Sequence, residues 1–403
     1  MMKNITGLSH GTALVVATIV GGGMFALPLA LENVWFTKGV ITLAISAFFM
    51  LLTGLMLVDV NLRFPSGTSF HTFTKDLLGH RASLVINASF LFVLYLITYA
   101  YISGASSAFS GVLNEIFGIN GTTWSVLLVT FLVSSLIYMG GTLASYVISF
   151  FVAAKFITFF LATGGLIESV KLQYLSDNPV LNGISSLALV IPVCIIAFGF
   201  HGSIPSLIKI YGKANYKKVV GSLCAGVFIS ALIYYYWLTI SMGVVDKATF
   251  SEIKVAGGNI GPFIRMIEGA KAAASMEIIL VFFAMFAILS SLLSASLGLC
   301  DYFRDLLKSR MTKEKGILPV LLTYLPPALF CIIKPDGFLL AISYAGIALV
   351  IWAVLLPPVL LLVARKKCLE ATYNFPLSNN ALKLFLVIGT IMWILMVSEV
   401  FIH

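Results

Sequence analysis

Charge is what this chain has least of. Only 10% of its 403 residues are Asp, Glu, Lys or Arg, against 60% hydrophobic residues, and the mean hydropathy is +1.05. A water-soluble domain of this length has too little core to hide so much apolar surface, which excludes soluble enzymes and soluble binding modules. The net charge of +9 then reads as basic loops on one face of a membrane rather than a nucleic-acid surface. Cysteine is scarce as well. Cys194, Cys224, Cys300, Cys331 and Cys368 are odd in number and scattered, with neither a disulfide framework nor metal-ligand spacing. No Gly-x-x-x-x-Gly-Lys-Ser/Thr loop exists, so ATP is not expected to drive the protein directly. The clustered His, Cys, Asp or Glu that a membrane enzyme needs are missing from the apolar segments, and no cofactor or metal is expected. No soluble appendage is seen, and the polar lead Met1–Ser9 runs straight into an apolar stretch, unlike a cleavable signal.

What the chain does have is a succession of apolar runs of spanning length. They fall at 8–30, 37–62, 82–113, 123–141, 145–168, 184–210, 217–243, 275–303, 316–333, 337–363 and 382–402. The polar segment at 244–274 has room for a small surface helix. Lys and Arg crowd into alternate loops: Lys3; Arg63, Lys75 and Arg81; Lys209, Lys213, Lys217 and Lys218; the run Arg304, Lys308, Arg310, Lys313 and Lys315; and Arg365, Lys366, Lys367 and Lys383. The other loops hold only Lys38, Lys171, Lys247, Lys254, Arg265, Lys271 and Lys334. That bias predicts a cytoplasmic N-terminus and, with an odd number of crossings, a C-terminus outside.

Two of the runs are poor helices in their middles. Thr18-Ile-Val-Gly-Gly-Gly-Met-Phe-Ala-Leu-Pro28 carries three consecutive glycines, each costing about 1 kcal/mol against alanine in a helix, and then a proline. Ala197-Phe-Gly-Phe-His-Gly-Ser-Ile-Pro-Ser206 interrupts the sixth run in the same way. Taken alone, the glycines have two readings: a broken helix whose bare amides and carbonyls hold a polar ligand, or small residues for close helix packing. The pairing favours the break. The two segments begin successive sets of five helices about 180 residues apart, and interrupted helices in matching positions point to an inverted-repeat transporter. The expected organisation is one transmembrane domain over 1–403. It comprises five-helix repeats at 1–168 and 184–363 and an eleventh helix at 382–402.

These motifs resemble the bacterial aromatic amino acid permeases. The resemblance rests on Ala17–Pro28, Leu94-Tyr-Leu-Ile-Thr-Tyr-Ala-Tyr-Ile-Ser-Gly104, Phe198–Ser206, Leu297-Gly-Leu-Cys-Asp-Tyr302 and Ser343-Tyr-Ala-Gly346. Phe70–Gly79, Ala154–Phe160, Lys209–Lys213 and Gly257–Ile260 are most similar to the tryptophan branch, with the tyrosine branch next. Ser294, Cys300, Arg304 and Gly22 depart from the usual pattern. The resemblance implies an all-helical, leucine-transporter-like fold with helices one and six broken. It also implies proton symport of an aromatic amino acid across the bacterial inner membrane, with sodium coupling or a broader substrate range as the alternative. A passive channel is a different class of reading, and it would need a polar pore that most of these helices do not offer.

An amino acid needs donors for its carboxylate and acceptors for its ammonium. The amides of Gly21, Gly22 and Gly23 would supply the first, and the carbonyls near Thr18–Val20 and Phe198–Phe200 the second. Phe198 and Phe200, flanking Gly199, are candidate walls for the aromatic group, as is Tyr101. Ser203, Asn87 and Thr98 are candidate polar partners. Lys155 lies roughly 15 Å into helix five, where a lysine is costly and usually functional. By resemblance it takes the place of a sodium ion, tying the helix-one carbonyls to Ser290 and Ser291. A fixed structural cation is the plainer reading. His201 would carry a proton, contact substrate, or only satisfy the broken backbone. Asp59 reads as an interfacial partner of Arg63, Glu32 as an outer-gate residue, and Asp301 with Arg304 as a cap or inner ion pair. Asn120-Gly-Thr122 matches a glycosylation acceptor by chance.

Overall fold

The computed structural model describes residues 7–65, 68, 70–117, 121–176, 184–255, 257–268, 274–307, 316–367, 369–370 and 372–402. Lys3, Asn120, Asp177, Lys271, the loop charges from Lys308 to Lys315 and Cys368 lie outside the described residues. The first apolar run is two helices, α1 (Leu8–Ile19) and α2 (Ala26–Leu31), bent by 49° about the glycines. Then follow α3 (Trp35–Leu62), the short α4 (Phe70–Leu78), α5 (His80–Phe117), α6 (Thr122–Met139), α7 (Gly141–Leu166) and one turn, α8 (Leu172–Leu175). The sixth run is α9 (Ile184–Ala197) and α10 (Ile204–Tyr211), followed by α11 (Tyr216–Val244). The polar segment carries two short helices rather than one, α12 (Lys247–Val255) and α13 (Ile260–Glu268). The remainder is α14 (Ala274–Leu307), α15 (Ile317–Ile333), α16 (Phe338–Val350), α17 (Leu356–Lys366) and α18 (Asn379–Ile402).

Nine described helices are long and apolar enough to cross a membrane, or ten with the bent pair taken as one span. α15, apolar but 17 residues long, occupies the run expected at 316–333. The protein is a multi-pass, all-helical membrane protein. Helix ends follow the local chemistry. Gly21 is extended (φ −140°, ψ −160°) and a 3-10 turn at Gly22–Phe25 leads into α2, where Pro28 sits in the first turn and breaks no bond. Pro205 opens α10 in the same permitted position. The tenth run holds a third irregularity that composition did not announce: a π-helical turn at Ile351–Leu355 just before Pro357 and Pro358. Side chains bond the backbone just before this turn, Ser89 Oγ donating to Ala348 O (3.1 Å) and Trp393 Nε1 to Ile347 O (3.1 Å).

α14 packs along α7 and α5, α16 along α5 and α9, and α1 along α11. The α16–α9 crossing is close because position 346 is glycine: a Cβ there would lie 2.2 Å from the Pro192 carbonyl oxygen. Ion pairs sit at the ends of the bundle. Arg63 donates to Asp59 at 2.8 Å, with both side chains almost fully buried. Asp59 also accepts the Phe375 amide (2.8 Å), and Arg63 donates to Leu369 O (2.6 Å), so the pair pins the segment between α17 and α18 to the foot of α3. Tyr373 of that segment lies against Tyr216. Its phenol pKa is raised, first by burial and then by the nearby Asp59 carboxylate. Asp301 and Arg304 pair at 2.8 Å near the end of α14, with Asp301 exposed and Arg304 half-buried and reaching Ile137 O of α6 at 3.4 Å.

Candidate functional site

Both broken helices lie side by side, and their bare backbone is served by side chains from three other helices. Lys155 of α7, only 2% exposed, donates through Nζ to Ala17 O at 3.3 Å and also to Val20 O. The Tyr234 hydroxyl of α11 lies 2.6 Å from Ile19 O and 3.0 Å from Ala197 O, spanning the two breaks. One turn further along α11, Trp237 Nε1 donates to Met24 O at 3.0 Å. On α14, Ser291 Oγ accepts the Gly22 N–H at 2.8 Å and gives its own proton to Ala287 O at 3.0 Å. These satisfy the groups a spanning helix would otherwise leave orphaned in hydrocarbon.

The expected tie from Lys155 therefore exists on the carbonyl side. The serines differ from expectation: Ser290 and Ser291 each donate back to Ala287 O, and Ser291 meets the break through the Gly22 amide rather than through Lys155. Among the described residues no carboxylate pairs with Lys155. Tyr234 and Trp237 were not singled out in the sequence. They sit in Tyr234-Tyr-Tyr-Trp237, and a run of aromatics in an apolar helix does not say which rings face inward.

The three glycines have three different surroundings. A Cβ on Gly21 would lie 2.4 Å from Ser291 Oγ, and one on Gly22 3.0 Å from the Tyr101 ring and 3.2 Å from the Ile288 Cα. At Gly23 the nearest atom is the Tyr101 hydroxyl, 3.7 Å away, an ordinary contact. Gly22 packs on α14 and its amide is taken, whereas Gly23 is partly exposed and faces Tyr101.

At the second break the rings turn away from open space. Phe198 is fully buried with its ring edge-on to Tyr234 (5.4 Å), and Phe200 is fully buried, stacked on His201 (4.8 Å) and against Gly54 of α3. His201 is also fully buried, Nε2 lying 2.9 Å from Thr53 Oγ1, with the Trp352 ring of the π turn edge-on at 6.5 Å. The partly or fully exposed groups here are Gly199, Gly202 and Ser203, whose hydroxyl donates to Phe200 O (2.7 Å). Thr18 is exposed, its hydroxyl turned back to Leu14 O (2.8 Å). Thr98 is buried and bonds Leu94 O (2.8 Å), and Asn87 Nδ2 donates to Ser83 Oγ one turn back at 3.4 Å.

Beyond the breaks, on the side of α2, the space is filled with rings. Phe25 lies 5.6 Å from Trp237, 6.3 Å from Phe263 and 5.3 Å from Phe283, and Phe159 closes on Phe283 at 5.3 Å, all of them buried. α12 is fastened over this plug by Lys254, which donates to Glu32 (3.1 Å) and Asn33 (2.6 Å).

The model of the tryptophan/tyrosine permease family matches residues 4–396. The chain belongs to this family. A tyrosine permease from Enterobacter agglomerans is 42% identical, over 99% of this chain and 97% of its own length. A low affinity tryptophan permease from Escherichia coli K12 is 37% identical, over 89% of this chain and 87% of its own. Among solved structures, Mhp1, a nucleobase-cation-symport-1 family transporter in a closed conformation with bromovinylhydantoin bound, superposes with a TM-score of 0.63. The match covers 98% of this chain and 90% of that one at 15% identity, a likeness of fold alone. The permease family membership and the leucine-transporter-like helical architecture thus agree with the sequence reading.

Proposed function

We propose that this permease imports an aromatic amino acid, tryptophan or tyrosine, across the bacterial inner membrane by alternating access coupled to protons. The observation that carries the reading is the meeting of two interrupted helices, their last carbonyls joined by one hydroxyl, with a buried lysine bonded to the first of them. Backbone released there suits a zwitterion: an amide donor for the carboxylate and half-helix carbonyl ends for the ammonium. Relatives named for tyrosine and for tryptophan both align over most of the chain, which supports the aromatic class.

Within that reading, Gly23 offers the amide to an incoming carboxylate: the Gly22 amide is held by Ser291, whereas the Gly23 amide faces the Tyr101 hydroxyl, which the carboxylate would displace. Tyr101 beside it is the wall for the aromatic group, and the Gly199–Ser203 backbone forms the opposite wall. Phe198 and Phe200 support that wall from the α11 and α3 sides, and His201 fixes the break through Thr53. Gly23→Ala should reach the membrane in normal amount, since a Cβ fits, yet raise KM about tenfold by holding the ligand off the amide. An unchanged KM in labelled uptake places the carboxylate elsewhere.

One feature supports proton rather than sodium coupling. The Lys155 ammonium fills the space between the Ala17 and Val20 carbonyls that a sodium ion would need. Release of the Lys155 proton would untie α1 and let it swing. The inverted repeat of 1–168 and 184–363 is supported by contact symmetry: α7 on α14 mirrors α16 on α5, and α1 on α11 mirrors α9 on α3. With the N-terminus in the cytoplasm and α18 ending outside, the aromatic plug is the closed outer gate. The exposed Thr18, Gly202 and Ser294 then mark an inward-open path.

Proteoliposomes loaded with purified protein test the whole reading. Labelled tryptophan and tyrosine should accumulate uphill under an imposed proton gradient, compete with each other, and saturate. A sodium requirement would replace the coupling ion. Mere equilibration would make the protein a channel, and no uptake of any aromatic amino acid would end the substrate assignment.

A further inference from the structure

The hydroxyl of Tyr234 has one proton and two carbonyl neighbours, Ile19 O at 2.6 Å and Ala197 O at 3.0 Å. These are the last carbonyls of α1 and α9, the C-terminal ends of two half-helices. Each such end carries partial negative charge, so two that converge repel unless a donor stands between them. Tyr234 is fully buried and its ring is held edge-on by Phe198, which fixes where the hydroxyl points. Among the described residues Tyr234 alone is seen to bond both breaks; Lys155 and Trp237 bind only the first.

We propose that Tyr234 is a positioning residue for the ammonium of the substrate, holding the ends of α1 and α9 at the separation that this group bridges. The inference rests on the transport reading above and adds a residue to it. Tyr234 does not touch the substrate. It acts by setting the spacing of carbonyls on either side of the ammonium position. With the hydroxyl removed, the two ends lose their shared donor and part, and a bound ammonium no longer reaches both.

The test compares Tyr234→Phe with Tyr95→Phe in proteoliposomes. Tyr95 of α5 makes a similar, part-buried bond, to Leu322 O at 2.7 Å on α15, and that bond joins neither break. Tyr234→Phe is expected to raise KM for labelled tryptophan about tenfold with Vmax within about twofold. Its inhibition constant for indole-3-propionate, which lacks the ammonium, should stay at the wild-type value. Tyr95→Phe is expected to leave both constants unchanged. If Tyr234→Phe is not recovered folded, Phe198→Leu, which removes the ring that aims the Tyr234 hydroxyl, should raise the KM for tryptophan and leave the inhibition constant for indole-3-propionate unchanged, and failure of that split overturns the proposal. Equal loss of affinity for tryptophan and indole-3-propionate, an unchanged KM, or the same KM rise in Tyr95→Phe would each overturn the proposal. Absence of uptake in the unmodified protein would instead strike the transport reading.

Discussion

Lys155→Gln should cut gradient-driven uptake about 10²-fold and remove its response to pH. The Lys155 ammonium is the donor to both Ala17 O and Val20 O, in a setting where it is 2% exposed. Glutamine is shorter and neutral. It leaves at least one of those carbonyls bare, and an orphaned buried acceptor costs about 1–3 kcal/mol, one to two orders of magnitude in an equilibrium between gate states. It also removes the one cation that, among the described residues, is bonded to the break. Uptake driven by an imposed pH gradient separates these effects from simple misfolding, because substrate exchange at equal pH on both sides needs no net proton movement and should fall far less. Lys155→Gln protein that still accumulates substrate in proportion to the pH gradient would remove the proton role and leave a structural cation.

The second large effect concerns stability. Asp59→Asn should lower unfolding stability by about 3–5 kcal/mol, because it leaves the Arg63 guanidinium almost fully buried without its counter-charge. The amide keeps the shape and can still accept the Phe375 N–H, so the loss reports charge rather than packing. The segment carrying Leu369 and Phe375 should detach first, appearing as early proteolysis between α17 and α18. Adding Arg63→Met should recover part of the loss, since replacing both partners removes the buried charge altogether. A change within ±0.5 kcal/mol in detergent-solubilised thermal unfolding would show that the pair is screened.

The architecture was legible where the chain breaks its own apolar rules. Three glycines and a proline in one span, and glycines with a proline in another, make poor continuous helix once the bundle is assembled, and the structure interrupts both. Lys155 stood out because a charge so deep in a span needs a reason; the resemblance put helix-one carbonyls beside it, but neither Ala17 O in particular nor the separation of Lys155 from Ser290 and Ser291 could be read from the sequence. Side-chain direction was not legible. Phe198 and Phe200 flank a glycine and suggest a shared pocket, yet one packs on α11 and the other on α3. Tyr234 and Trp237 were hidden among like residues, since their roles depend on which face of α11 meets the breaks. The π turn at Ile351–Leu355 gave only Pro357 and Pro358 as a sign, and prolines in a first helical turn are permitted.

The helix-one break also bears on how the chain is made. Its partners lie far along the sequence: Lys155 is 135 residues from Val20, Tyr234 is 215 from Ile19, Trp237 is 213 from Met24 and Ser291 is 269 from Gly22. During synthesis the segment Leu8–Leu31 therefore enters the bilayer long before anything exists to satisfy its bare amides and carbonyls. At that stage a continuous helix is its cheapest form. The bend has to be imposed later, as α7, α11 and α14 arrive in turn. Chains truncated after α11 would hold their first segment by Lys155, Tyr234 and Trp237 but lack Ser291. Chains truncated after α6 would carry it unbroken.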